Sequence, residues 1–217
     1  MRLIDSVTEL TTAATDAALA LLCGAALWRL RSLPGAQRWK RSVWAWVLTW
    51  LAFASLLGSA VHAVVWPRPL LNAIWGGLYL SLGLTVGAFG IGVLCDARGE
   101  VHARKAAPWI VAVGAGFAVL TIVTGGAFLV FVVFESAVML GGLAVYGGLA
   151  VTRRLAGAGL VAAGIAVTIV AGIVQASRLS VVAFVPFDHN GLFHLVQLVG
   201  TLLLVVGIRR GLVKDAF

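Results

Sequence analysis

Residues 110–151 read IVAVGAGFAVLTIVTGGAFLVFVVFESAVMLGGLAVYGGLAV, and Glu135 is the only charged side chain among them. A membrane-spanning helix needs ~20 apolar residues, so this run is too long for one span. Gly125-Gly126 is its natural breakpoint, because glycines accept the backbone angles of a tight turn. The run therefore divides into spans over about 108–124 and 127–152, and the chain reads as a polytopic membrane protein.

Five further apolar runs flank this pair, over about 6–30, 43–65, 71–94, 157–177 and 187–208. The composition agrees, with 61% hydrophobic and only 11% charged residues and a mean hydropathy of +1.05. The expectation is an all-α, single-domain bundle of seven transmembrane helices over residues 1–217. Local signals place its ends. Ser6-Val7-Thr8-Glu9 has the S-x-x-E pattern of a capping box, and no small-residue cleavage site follows to mark a removed signal peptide. Pro34-Gly35 makes a turn inside a basic loop edged by tryptophans. Trp66-Pro67-Arg68-Pro69 ends the second helix, because proline removes a backbone donor and restricts its predecessor. A polar loop with Asp96, Arg98, Glu100, Arg104 and Lys105 separates the third helix from the fourth. Cys23 and Cys95 have no metal-type spacing and read as packing residues.

Loop charge orients the bundle. Every Lys and Arg except Arg2, Arg68 and Arg178 falls after helix 1, 3, 5 or 7. By the positive-inside rule the N-terminus is non-cytoplasmic and the C-terminus cytoplasmic, in a multi-pass protein expected in a bacterial cytoplasmic membrane. The net charge of +8 is therefore topological and gives no nucleic-acid footprint. Retinal is excluded as a cofactor, since Lys40, Lys105 and Lys214 all lie in cytoplasmic loops and none is within helix 7.

The chemistry-bearing residues gather at the other end. In FDHNGLFHLVQLVGT, residues 187–201, the side chains Asn190, His194, Gln197 and Thr201 fall at i, i+4, i+7 and i+11, which makes one helical stripe. Asp188 and His189 sit just before it. Ser55, Ser59 and His62 form a second stripe on helix 2. Asp16 lies roughly 15 Å below the helix 1 cap, and Glu135, Gln175 and Arg178 come from helices 5 and 6. Given the orientation, Asp16, Ser59, His62, Glu135, Gln175, Arg178, Asp188, His189, Asn190 and His194 belong to the non-cytoplasmic half of the membrane. Imidazoles and carboxylates at that depth are costly unless they meet a partner, a metal or water, so they define a candidate polar pocket.

Seven helices, the Ser55, Ser59 and His62 face of helix 2 and the start of helix 7, Asp188-His189-Asn190-Gly191-Leu192-Phe193-His194, resemble the CREST superfamily of membrane hydrolases. That group includes the alkaline ceramidases, the progestin and adiponectin receptors and the GPI-remodelling lipases. The resemblance implies zinc held by His62, His194 and His189, with a nearby serine and carboxylate cleaving lipid-like amides or esters. The family's helix 7 histidines are four apart, whereas here Asn190 stands four before His194 and His189 five before. Its helix 2 serine lies four before the histidine, where this chain has Gly58.

Two functions are compatible with these residues. One is a zinc-dependent hydrolase in which Asp16, Glu135 or Asp188 takes a proton and Ser59 steadies the oxyanion, with membrane lipids as partners and a lipid-like substrate. The other is a non-enzymatic protein that binds or moves a small solute or proton, with Glu135 or Asp16 titrating. A haem held by His62 and His194 is a third, weaker fit to the histidines. Both principal readings expect His62 near His194 in one pocket, with Asn190, His194 and Gln197 directed toward helix 2.

Overall fold

The computed structural model describes residues 2–33, 37–125 and 128–214. The Pro34-Gly35 turn and the second glycine of Gly125-Gly126 lie outside the described residues. The fold is all-α, and it contains seven helices long and apolar enough to cross a membrane. They are α1 (Val7–Arg31), α2 (Arg38–Ala63), α3 (Arg68–Arg98), α4 (Glu100–Val123), α5 (Phe128–Val151), α6 (Ala158–Ala176) and α7 (His189–Lys214). Two small antiparallel pairs of two-residue strands decorate one end. β1 (Arg2–Leu3) pairs with β2 (Val64–Val65), and β3 (Val181–Val182) pairs with β4 (Pro186–Phe187).

Each helix packs on its neighbours in sequence, and α7 closes the circle by packing on α1. α3 also touches α5, so α4 sits on the outside of that corner. The outer surface of the helices is apolar, with Leu21, Val119, Leu129, Ile173 and Val199 all exposed. Such a surface suits hydrocarbon, and a water-soluble bundle would present polar residues there.

The interior is organised in layers. Leu19, Cys23, Phe89 and Ile165 fill the middle of the ring, and Trp44 meets Phe89 edge to face at 5.7 Å. Toward the end where α1 and α7 finish, a buried ion pair joins Lys40 Nζ of α2 to Asp96 Oδ1 of α3 at 2.5 Å. Tyr146 of α5 donates its hydroxyl to Asp96 Oδ2 at 2.7 Å. Two charges out of water are tolerable only when each is satisfied in this way.

Glycines set the closest helix approaches. A Cβ on Gly83 of α3 would lie 2.3 Å from the carbonyl oxygen of Gly114 in α4, and one on Gly164 of α6 would lie 2.8 Å from that of Gly200 in α7. Backbones that approach so closely gain dispersion contact that larger residues would forbid.

The connection between α3 and α4 differs from its expectation. The charged stretch is helical, and only Gly99, at φ 88°, interrupts it. Helix 4 begins at Glu100, eight residues before Pro108 in sequence, and Pro108 lies inside it. The charges satisfy one another on helix surfaces, as Arg104 does with Glu100 at 2.7 Å, so they need no loop.

Candidate functional site

The site lies where α1 begins, α2 ends and α7 begins. α1 starts as its sequence indicates, with the Ser6 hydroxyl accepting from the Glu9 backbone N–H at 3.4 Å. The second half of the capping box is absent. The Glu9 carboxylate instead reaches across to α2, where His62 Nδ1 donates to Glu9 Oε2 at 2.6 Å.

The start of α7 is fixed by Asp188. One oxygen, Oδ1, accepts from the backbone N–H groups of Asn190 at 3.1 Å and Gly191 at 2.9 Å. These are among the donors a helix start leaves unpaired. The same oxygen accepts from Thr12 Oγ1 of α1 at 3.1 Å, and Thr11 Oγ1 donates to the Pro186 carbonyl at 2.9 Å. The Asp188 cap therefore also docks α7 onto α1.

That docking brings His194 between two residues of α1. Its Nδ1 lies 3.2 Å from Thr15 Oγ1, and its Nε2 lies 3.3 Å from Asp16 Oδ1. All three side chains are buried, Asp16 with 5% and His194 with 8% of its surface exposed. Gly58 of α2 closes the other side of the carboxylate, since a Cβ there would stand 2.6 Å from Asp16 Oδ2. One turn further along the same face of α2 is His62, and two turns back along α1 is Glu9. Two carboxylate–imidazole pairs thus lie along one seam, the outer one half-buried and the inner one enclosed. His62 and His194 sit within electrostatic reach of each other.

Below the inner pair the polar stripe of α7 continues. Gln197 Oε1 and Thr201 Oγ1, with Thr168 Oγ1 of α6, are buried and have no hydrogen-bond partner among the described residues. Buried oxygens of this kind are ordinarily satisfied by internal water.

Of the residues expected in one pocket, Asp16, His62, Asp188, His194 and Gln197 assemble on the seam, with Asn190 at the α7 start beside them. α7 as a whole packs mainly on α6 and α1 and only slightly on α2, and of the stripe expected to face helix 2, His194 meets Thr15 and Asp16 of α1. Asp188, which accepts from Thr12 of α1 as well as from the first backbone N–H groups of α7, ties the start of α7 to α1. Ser55 is buried and Ser59 half-buried on α2, and neither hydrogen-bonds a site residue among those described. His189 opens α7 and is half-buried. Gln175 is half-buried near the end of α6, and Arg178 is exposed in the loop that follows. Glu135 stands on α5, which packs on α3, α4 and α6, and it forms no ion pair with any described residue.

Zinc needs three protein ligands converging on one point at ~2.0–2.2 Å. Among the described residues no three His, Cys, Asp or Glu side chains do so, because His62 is turned onto Glu9 and His194 onto Asp16 and Thr15. As arranged, the residues do not fit a shared ion. Glu9 and Thr15 are the site members that the sequence pattern hid. Glu9 read as a capping residue, and nothing in the sequence pattern singles out Thr15.

A family model described as "Family of unknown function (DUF6962)" matches residues 11–213. No curated protein and no solved structure matches.

Proposed function

For a chain that belongs to DUF6962, a family of unknown function, the reading has to come from the site, and we propose that this site binds and moves protons. The bundle would cross a membrane, expected to be a bacterial cytoplasmic membrane, with its N-terminus on the non-cytoplasmic side. The loop charges support that orientation.

The observation that carries the reading is the contact set of His194. Thr15 Oγ1 donates to the Thr12 carbonyl at 2.9 Å, which favours the His194 tautomer that carries its N–H at Nδ1 and donates it to Thr15. A neutral imidazole then presents a bare Nε2 to Asp16 Oδ1. Two acceptors repel, and the contact is favourable only with a proton between them. Asp16 as an acid or His194 as an imidazolium supplies that proton equally well. The pair therefore holds one dissociable proton inside the bundle. Glu9 and His62, more exposed on the same seam, form the entry from the non-cytoplasmic side. The unpartnered oxygens of Gln197, Thr201 and Thr168 extend the polar track inward. Lys40, Asp96 and Tyr146 form the polar group at the far end. The apolar layer of Leu19, Cys23, Phe89 and Ile165 lies between, so passage requires a change in helix packing. A small polar solute entering the pocket with the proton is part of this reading.

Proteoliposomes with an internal pH dye and an imposed potential test it. Wild-type protein is expected to raise proton flux well above protein-free vesicles. Asp16→Asn should return it to background, and Glu9→Gln should slow it several-fold. Wild-type flux at background, or flux indifferent to Asp16→Asn, contradicts the proposal.

One observation favours a second reading. His194 lies between a hydroxyl and a carboxylate. In its other tautomer, with Nδ1 accepting from Thr15 and the N–H on Nε2 facing Asp16, this is the order of groups that activates a nucleophile in hydrolases, which accords with the CREST resemblance. Hydrolysis of lipid-like amides or esters with zinc requires the Glu9, His62, Asp16 and His194 groups to regroup around an ion. Stoichiometric zinc in purified protein, lost in both His62→Ala and His194→Ala, would favour it over proton movement.

A further inference from the structure

α1 and α7 touch where the site is and part at their other ends. Between their last turns lies a cavity of about 850 Å³, within the ~300–1,000 Å³ range of ligand sites. Its walls are apolar, with Leu22 and Leu30 from α1, Leu202 and Val206 from α7, and Trp44 of α2 at its back. Its rim is cationic, formed by Arg29, Arg209 and Arg210. All three arginines are exposed, and none pairs with a carboxylate among the described residues.

We propose that this groove binds one anionic phospholipid of the surrounding bilayer, its phosphate on Arg29, Arg209 and Arg210 and an acyl chain along the cleft between α1 and α7. Charge complementarity commits the occupant. Three guanidiniums from the ends of α1 and α7, with no carboxylate partner among the described residues, attract phosphate, which guanidinium groups can bind through two parallel hydrogen bonds. The apolar cleft leads away from them along the helix axes, as an acyl chain does from its headgroup. Arginines that served only to set topology or to complement the helix dipole would not need to border such a cleft. A detergent or a zwitterionic lipid matches the walls without matching the rim.

Native mass spectrometry of the detergent-purified full chain tests this, with phosphatidylglycerol and phosphatidylcholine added in turn. The wild type is expected to retain one phosphatidylglycerol and to discriminate against phosphatidylcholine. At about five-fold per arginine near an anionic headgroup, the triple variant R29Q/R209Q/R210Q should bind on the order of 100-fold more weakly. A charge-matched control, R98Q/R104Q/R153Q, should bind as wild type does. Val206→Trp keeps the arginines and narrows the cleft at an exposed position, and it should also lose the lipid. Glycerophosphate, which has the headgroup charge without chains, should not displace it. Equal loss in the control triple, equal retention of phosphatidylcholine, unchanged binding in Val206→Trp, or displacement by glycerophosphate would each overturn the proposal.

Discussion

At the scale of single residues, the inner pair depends on a position with no side chain. Gly58 leaves room for the Asp16 carboxylate, and a methyl group there would stand 2.6 Å from Oδ2 and 3.0 Å from Cγ. Alanine is favoured over glycine in a helix by roughly 1 kcal/mol, whereas overpacking a filled site costs about 1–3 kcal/mol. The clash should dominate, because Asp16 is short and held by His194. Gly58→Ala is expected to destabilise the protein by about 1–2 kcal/mol, measured by unfolding in mild detergent. In an Asp16→Ala background the same substitution should be neutral or stabilising, and the double-mutant cycle reads the coupling. Equal costs in both backgrounds would mean that Gly58 does not shape the carboxylate site.

Much of this site is visible in the sequence because burying an imidazole or carboxylate at membrane depth is costly, which makes Asp16, His62 and His194 conspicuous. Their partners are less so. Glu9 satisfies a local capping pattern, and only the tertiary contact shows its carboxylate assigned to His62. Glu135 shows the opposite limit. Its place in the sequence leads one to expect a depth comparable to the site residues, but depth does not fix which helices are neighbours around a ring.

At the scale of elements, the helices were legible from their apolar length and the boundary between α3 and α4 was not. Charges in a membrane protein suggest a loop. Here they sit on the last turn of α3 and the first turns of α4, and i, i+4 pairing of Glu100 with Arg104 supports a helical backbone. Arg104 also lies over the Trp39 ring at 4.9 Å, which ties α4 to the start of α2. The α3–α4 crossing itself rests on Gly83 and Gly114. Each would carry a Cβ into the other's backbone carbonyl, at 2.3 Å and 2.5 Å. A backbone atom cannot rotate away, so Gly83→Val forces the helices apart and should cost about 3 kcal/mol. At Gly116 an added Cβ would meet nothing within 4 Å, so alanine there should leave thermal stability intact. Comparable unfolding midpoints for the two variants would contradict the close crossing.

At the scale of the whole molecule, the relation between α1 and α7 organises both ends. Near the start of α7 the Asp188 cap and the Thr12, Thr15 and Asp16 contacts join the two helices. Beyond the apolar middle they separate and leave the arginine-rimmed cleft. The sequence indicated the polar end through its stripes and the basic end through its loops, but neither stripe nor loop reveals that the same two helices meet at one end and part at the other. Closure of a ring is a long-range property, and no local pattern encodes it.

The central claim is that Asp16 and His194 share one dissociable proton while Thr15 accepts from Nδ1. Solid-state ¹⁵N spectra of histidine-labelled protein in bilayers test it most directly, since the chain has only 4 histidines and His194→Gln identifies the signals. The account predicts a protonated Nδ1 on His194 and an Nε2 resonance, hydrogen-bonded to Asp16, that moves in Asp16→Asn. An Nε2 resonance unchanged by Asp16→Asn, or one at a metal-bound position, would contradict it.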